Sequence, residues 1–147
     1  MTFGMGQPEL PWGVGNVCTP ADVLRIPLEV KALGATALRM TCLWAQIDPT
    51  LRADDPATFK WANLDSALDA VEAAGLDIML CIEPRRSLTP IASTADHSPD
   101  YGQLCGAIAQ RYGDRIKWYE IGNEVNSAKR FSGANASRYA DYLREAF

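Results

Sequence analysis

Apolar residues recur along this chain in two alternating rhythms. Leu64, Leu68 and Val71, with Ala67 beside them, mark one face of a helix. Leu104, Ile108 and Tyr112 repeat at four-residue spacing, and Tyr139, Tyr142, Leu143 and Ala146 form a third apolar face near the C-terminus. Between these helical stretches lie short, mostly apolar runs at 35–42, 77–82 and 116–122. These runs read as strands, and the nearly all-apolar 77–82 suits one covered on both faces. A first short strand is predicted at 12–17.

The punctuation agrees with this division. Thr19 can cap a helix that begins at Pro20. Pro27 lacks an amide hydrogen and predicts a kink or a second start within that helix. Gly34, Gly75 and Gly113 stand where helices stop, and Ser98-Pro99 where one starts. Asp48-Pro49 and Asp54-Asp55-Pro56 predict a loop, and a last helix is expected over 135–147. Four strands alternating with four helices imply an α/β fold, with a parallel sheet and right-handed crossovers. Pattern alone leaves two architectures open, half of a barrel or a small doubly wound sheet. With 147 residues and no low-complexity stretch, the chain reads as a single domain over 1–147. A complete β/α barrel needs ~250 residues.

Composition narrows the function classes. Hydrophobic residues make up 48% and charged residues 22%, with a net charge of −4 and both signs scattered. A nucleic-acid partner calls for a basic stripe, which is missing. No apolar run approaches the ~20 residues of a membrane span. The first residues lack the basic and apolar regions of a signal peptide, which reads as a cytoplasmic product. Cys18, Cys42, Cys81 and Cys105 are widely spaced and His97 is the single histidine, so no metal is expected. Cys42, Cys81 and Cys105 sit in apolar segments and read as small hydrophobes. No phosphate-binding glycine loop is present and no organic cofactor is expected.

The chemistry concentrates in Trp118-Tyr119-Glu120-Ile121-Gly122-Asn123-Glu124. A strand there runs into a loop that carries a carboxylate. Glycoside hydrolysis needs one carboxyl group to protonate the leaving oxygen. This stretch resembles the strand-four motif of clan A glycoside hydrolases, which are retaining (β/α)8-barrel enzymes of cellulase-like, β-mannanase-like and β-xylosidase-like kinds. The likeness extends over roughly residues 10–147. Trp12-Gly13-Val14 fits strand one. Leu33-Gly34-Ala35 through Leu38-Arg39-Met40 to Trp44 and Ile47-Asp48-Pro49 is similar to the second unit. Phe59-Lys60-Trp61 through Leu64-Asp65 to Ala74-Gly75-Leu76 resembles its helix.

The resemblance implies a (β/α)8 fold represented by about its first four units. It makes Glu124 the general acid/base, with a pKa raised by burial against aromatic walls, and sets Asn123 on the sugar 2-hydroxyl. It sets Arg39 beneath the sugar site. Glu120, four residues before Glu124 and on the same strand face, is expected to be a buried charge paired with Arg39. Trp44 and Trp12 can stack on sugar rings or pack in the core. Trp61 is expected at a helix start and His97 in a surface loop without a partner. Residues 83–86 can line a cleft or form a solvated loop.

In the clan the nucleophile is a second Glu at the end of strand seven, which has no counterpart here. Glu83, after strand three, is the other carboxylate near a strand end. The chain is therefore expected to be inactive alone and to belong to a complete site with a second copy or a C-terminal half. The alternative is a carbohydrate-binding or structural module that kept the fold without the chemistry.

Overall fold

The computed structural model describes residues 4–6, 20–50, 52–53, 55–84, 97–126 and 136–147. Its strands are β1 (Gly4–Gly6), β2 (Ala37–Leu43), β3 (Asp77–Glu83) and β4 (Trp118–Ile121). The helices are α1 (Pro20–Ala32), α2 (Trp44–Ile47), α3 (Ala62–Ala73), α4 (Ser98–Tyr112) and α5 (Ala136–Ala146). The sheet runs in the order β1-β2-β3-β4 and every pairing is parallel. A doubly wound sheet reverses its strand order at a switch point. The described strands show no reversal, so that architecture is not favoured.

Two near-identical turns deliver β2 and β3. At the end of α1, Gly34 (φ +87°) donates to Lys31 O at 2.9 Å and Ala35 to Val30 O at 3.3 Å. At the end of α3, Gly75 (φ +71°) donates to Glu72 O at 2.8 Å and Leu76 to Val71 O at 3.2 Å. Both are Schellman caps, in which a left-handed residue satisfies the last helical carbonyls. Ala35 and Leu76 are buried just beyond them, and each strand begins within two residues. The Lys31 ammonium donates to Gly75 O at 2.6 Å and ties the two turns together.

The core lies on one side of the sheet. Leu38, Met40 and Cys42 of β2, Ile78, Leu80 and Ile82 of β3 and Ile121 of β4 form one cluster with Val30, Leu64, Leu68, Val71, Leu104, Ile108 and Tyr142 from the helices. The alternate strand residues Arg39, Thr41, Met79, Cys81, Trp118 and Glu120 point the other way. On that second face Thr41 and Cys81 are buried, Arg39, Met79 and Glu120 are half-buried, and Trp118 is 40% exposed. Among the described residues, helices thus cover one face only, as they do outside a barrel wall.

Several expectations are corrected. The strand predicted at 12–17, with Trp12, Cys18 and the Thr19 cap, lies outside the described residues; β1 at Gly4–Gly6 is a strand the pattern did not predict. No second start occurs at Pro27: α1 runs as one element to Ala32, with Pro27 buried and its packing offsetting one lost backbone bond. Residues 44–47, read as the start of a loop, form a helical turn. His97 is not an isolated loop residue. It precedes α4, meets the Trp44 ring edge-on at 6.5 Å and lies 3.7 Å from Asp100. Trp61 stands at the start of α3 as expected, against Phe59 and Tyr112, with the Arg111 guanidinium 5.3 Å from its ring centre.

Cys42, Cys81 and Cys105 are buried free thiols. Burial raises the Cys42 pKa strongly and pushes the Cys105 thiol up to about 12, so both stay protonated and act as apolar packing.

One packing contact makes a direct prediction. A Cβ on Gly102 of α4 would stand 2.6 Å from the Glu145 carbonyl oxygen of α5. Gly102→Ala gains helix propensity of about 1 kcal/mol but must push α5 outward, at about 1–3 kcal/mol. A lower urea midpoint is expected; a raised one would show that α5 does not sit against α4 this closely.

Candidate active site

Arg39 and Glu120 project from strands that are not neighbours. In register, Thr41 stands beside Cys81 and Cys81 beside Glu120, so β3 lies between the two charged residues. Two strand spacings amount to about 10 Å, within reach of one long and one medium side chain. The small Cys81 leaves room for the pair to cross over it. Arg39 Nε donates to Glu120 Oε2 at 2.7 Å and Nη2 to Glu120 Oε1 at 3.0 Å. This bidentate geometry is the strong form of the interaction. The hydrogen bonds that Arg39 donates to Glu120 raise the guanidinium pKa, against burial and with smaller help from nearby charge, Glu83 included. The Arg39–Glu120 pair inferred from the strand pattern is therefore present, with both side chains partly buried.

The guanidinium makes a third contact that the sequence did not suggest. Arg39 Nη2 also donates to Asn123 Oδ1 at 3.1 Å. Asn123 lies two residues past the end of β4, so the ion pair holds the first turn of the following loop. That loop leaves the strand sharply. Gly122 adopts φ +72°, and a Cβ there would stand 2.8 Å from Val125 Cγ1. Only glycine fits both conditions without movement. Tyr139 of α5 donates to Ile121 O at 2.8 Å, and Gly122 N donates to Ile82 O at 2.8 Å, anchoring the strand end from both sides.

Glu124 follows at φ +49°, one of two non-glycine residues with positive φ among those described. A left-handed glutamate is uncommon, and such strain tends to gather at functional positions. The strand ends at Ile121 and two left-handed residues follow, so Glu120 and Glu124 do not share the simple alternation expected of a continuous strand. Glu124 is exposed, so the burial against aromatic walls expected for it is not supplied by the described residues.

Glu83 closes β3 on the same face as Cys81 and is 2% exposed. It reads as a buried acid at the rim of the Arg39–Glu120–Asn123 cluster. Of the loop at 83–86, positions 85 and 86 lie outside the described residues.

Trp44 is corrected. It is fully buried, with its ring centre 5.8 Å from that of Tyr101, and its Nε1 donates to Asp48 at 3.2 Å. A ring with no exposed face cannot stack on a sugar, so Trp44 is a core residue. Among the described residues, no cluster of three His, Cys, Asp or Glu is arranged to hold a metal ion, and no helix is long and apolar enough to cross a membrane.

Comparison with known proteins adds one kind of likeness. No family model matches the chain, and no curated protein matches it. Solved structures do. Fpglu1 from Fervidobacterium pennivoraus matches with a TM-score of 0.59 and 13% identity, over 86% of this chain and 36% of that one. A family 39 glycoside hydrolase from the gut symbiont Bacteroides cellulosilyticus WH2 matches with a TM-score of 0.53 and 16% identity, over 86% and 27%. The beta-glycosidase BGL167 matches with a TM-score of 0.51 and 23% identity, over 73% and 26%. The chain spans about a third of the length of these structures or less, and it shares its mixed α/β fold and parallel sheet with that part of them.

Proposed function

We propose that this chain forms the first four β/α units of a (β/α)8 glycoside hydrolase site and acts on O-glycosidic bonds in carbohydrate. The observation that supports this best is the cluster at the C-terminal end of the sheet. Arg39, Glu120 and Asn123 are joined by three hydrogen bonds of 2.7–3.1 Å, with the left-handed Glu124 next in the chain. In β/α barrels that end carries the active site. The second sheet face, with its half-buried Arg39 and Glu120, suits the interior of a barrel that further strands would complete.

In this reading Glu124 is the general acid that protonates the glycosidic oxygen and later the base that activates water. Asn123 binds the neighbouring sugar hydroxyl. Arg39 and Glu120 touch no reacting atom and hold Asn123. A retaining mechanism needs a second carboxyl group ~5–5.5 Å from the first. The matched structures extend well beyond this chain, and a second polypeptide or further strands would supply that group.

The test is hydrolysis of β-linked disaccharides, whose leaving group needs protonation. Turnover is measured for the purified chain alone and mixed with a polypeptide carrying the complementary four units. No turnover alone is expected. Turnover is expected in the mixture, and Glu124→Gln in this chain should lower it by about 10²–10⁴-fold. Turnover in the mixture that survives Glu124→Gln would exclude Glu124 as the acid/base. Sugar binding without turnover in any mixture would favour a binding module.

A further inference from the structure

We infer that Tyr139 of α5 is a positioning residue for Glu124: its hydroxyl holds the peptide group between Ile121 and Gly122 from one side while β3 holds it from the other, and that group sets the turn carrying the carboxylate. The functional half of the inference rests on the reading of Glu124 as the acid/base. The clamp itself rests on geometry.

Each end of this peptide group has its own partner. Gly122 N donates to Ile82 O of β3 at 2.8 Å, and Ile121 O accepts from the Tyr139 hydroxyl at 2.8 Å. The N–H and C=O of one planar trans peptide point in opposite directions, so the two bonds together oppose rotation of the plane. The chain then leaves the strand through Gly122 at φ +72° and reaches Glu124 at φ +49°. Both rotations start from the clamped plane, so a tilt of that plane is carried through to the carboxylate.

Tyr139 suits this task. It is the fourth residue of α5, and its ring packs against the core, with Cε2 3.9 Å from where a Cβ on Gly122 would stand. A rigid ring with few torsions loses little freedom in placing its hydroxyl. The preceding unit supplies a comparison. Tyr101 is the fourth residue of α4 and donates to Ile82 O at 2.7 Å. Ile82 and Ile121 are register partners, so the two tyrosines meet neighbouring strands at one level. Loss of the Tyr101 hydroxyl leaves both bonds of the 121–122 clamp in place. Loss of the Tyr139 hydroxyl removes one of them.

Tyr139→Phe and Tyr101→Phe are therefore compared in the full chain. Each keeps its ring and deletes one hydroxyl, and thermal melting checks that both fold. Exchange of the Gly122 amide with solvent is followed by ¹⁵N NMR, relative to the Leu80 amide as a gauge of global opening. It should quicken about fivefold or more in Tyr139→Phe and less than about twofold in Tyr101→Phe. Equal changes in the two variants, or none in Tyr139→Phe, overturn the inference. If Tyr139→Phe does not fold, the Tyr139 hydroxyl proton is followed in wild type. It should exchange more slowly than in free tyrosine, and an equal rate overturns the inference.

The functional half is read in the mixture with the complementary four units, on the same β-linked disaccharides. Tyr139→Phe should lower kcat about tenfold with KM within about twofold, and Tyr101→Phe should leave both within about twofold. An unchanged kcat in Tyr139→Phe overturns the positioning role. If no mixture turns over, the acid/base reading fails, and amide exchange alone decides the clamp.

Discussion

Asp48→Ala is expected to destabilise the fold by about 3 kcal/mol, since it removes five hydrogen bonds at once and strands two buried donors. Asp48 is 2% exposed and sits just past α2. Its carboxylate accepts from Trp44 Nε1 at 3.2 Å, Thr50 Oγ1 at 2.6 Å, and the backbone amides of Thr50, Arg52 and Ala53 at 2.9 Å each. Ala53 is fully buried at φ +52°, a conformation held against its own preference. Alanine at 48 would leave the buried Trp44 Nε1 and Ala53 amide unpaired and release the turn that leads to α3.

The effect should depend on pH. Burial pushes the Asp48 pKa up, but the hydrogen bonds from Thr50, Ala53 and Trp44 together outweigh it, and the folded value lies below the ordinary one. The contribution is fully present above the unfolded value of about 3.9 and is lost as pH falls through the lower folded value. Urea denaturation at about pH 7 and pH 3 should show the gap between wild type and Asp48→Ala narrowing in acid. A gap of equal size at both would show that folding leaves the Asp48 pKa unchanged.

Trp44→Ala should cost about 3–5 kcal/mol, through lost burial and the cavity left behind. The ring is 0% exposed and packs between Tyr101 and His97. Tyr101, itself fully buried, donates to Ile82 O at 2.7 Å, so the cavity would open beside the C-terminal end of β3. Trp44→Phe should retain most of the stability. Because Trp44 and Asp48 share a hydrogen bond, the double variant should lose less than the sum of the two singles. The outcome separates core packing from sugar stacking: a stable Trp44→Ala chain that had lost only glycoside affinity would restore the stacking role.

Much of this architecture was legible in the chain. The α3 and α4 faces, their glycine stops and the β2 and β3 runs carry strong periodicity, and each falls within a few residues of its expected place. The signals that failed are physical in origin. Pro27 removes one hydrogen bond, and tertiary packing makes up the difference. Gly4–Gly6 has almost no strand propensity, and what makes it a strand is its pairing with Ala37, Leu38 and Arg39. Trp44 looked available for a ligand because an aromatic residue near a strand end is equally suited to a core and to a sugar. Its burial follows from α2 turning the chain inward, which a four-residue helix is too short to announce.

At the site, residue type and spacing determined that Arg39 and Glu120 belong to one sheet face and need each other, because two opposite charges on alternating strand positions have few other partners. They also marked Asn123-Glu124 as a loop leaving a strand end. Tertiary structure alone decided that the pair crosses β3 above Cys81, that Arg39 also reaches Asn123, and that Glu124 stands exposed in a left-handed turn. Those outcomes depend on inter-strand register and on the φ angles of Gly122 and Glu124, and neither is written in the local pattern of polar and apolar residues. Register comes from packing a whole sheet against its helices, and a turn's hand from what surrounds it.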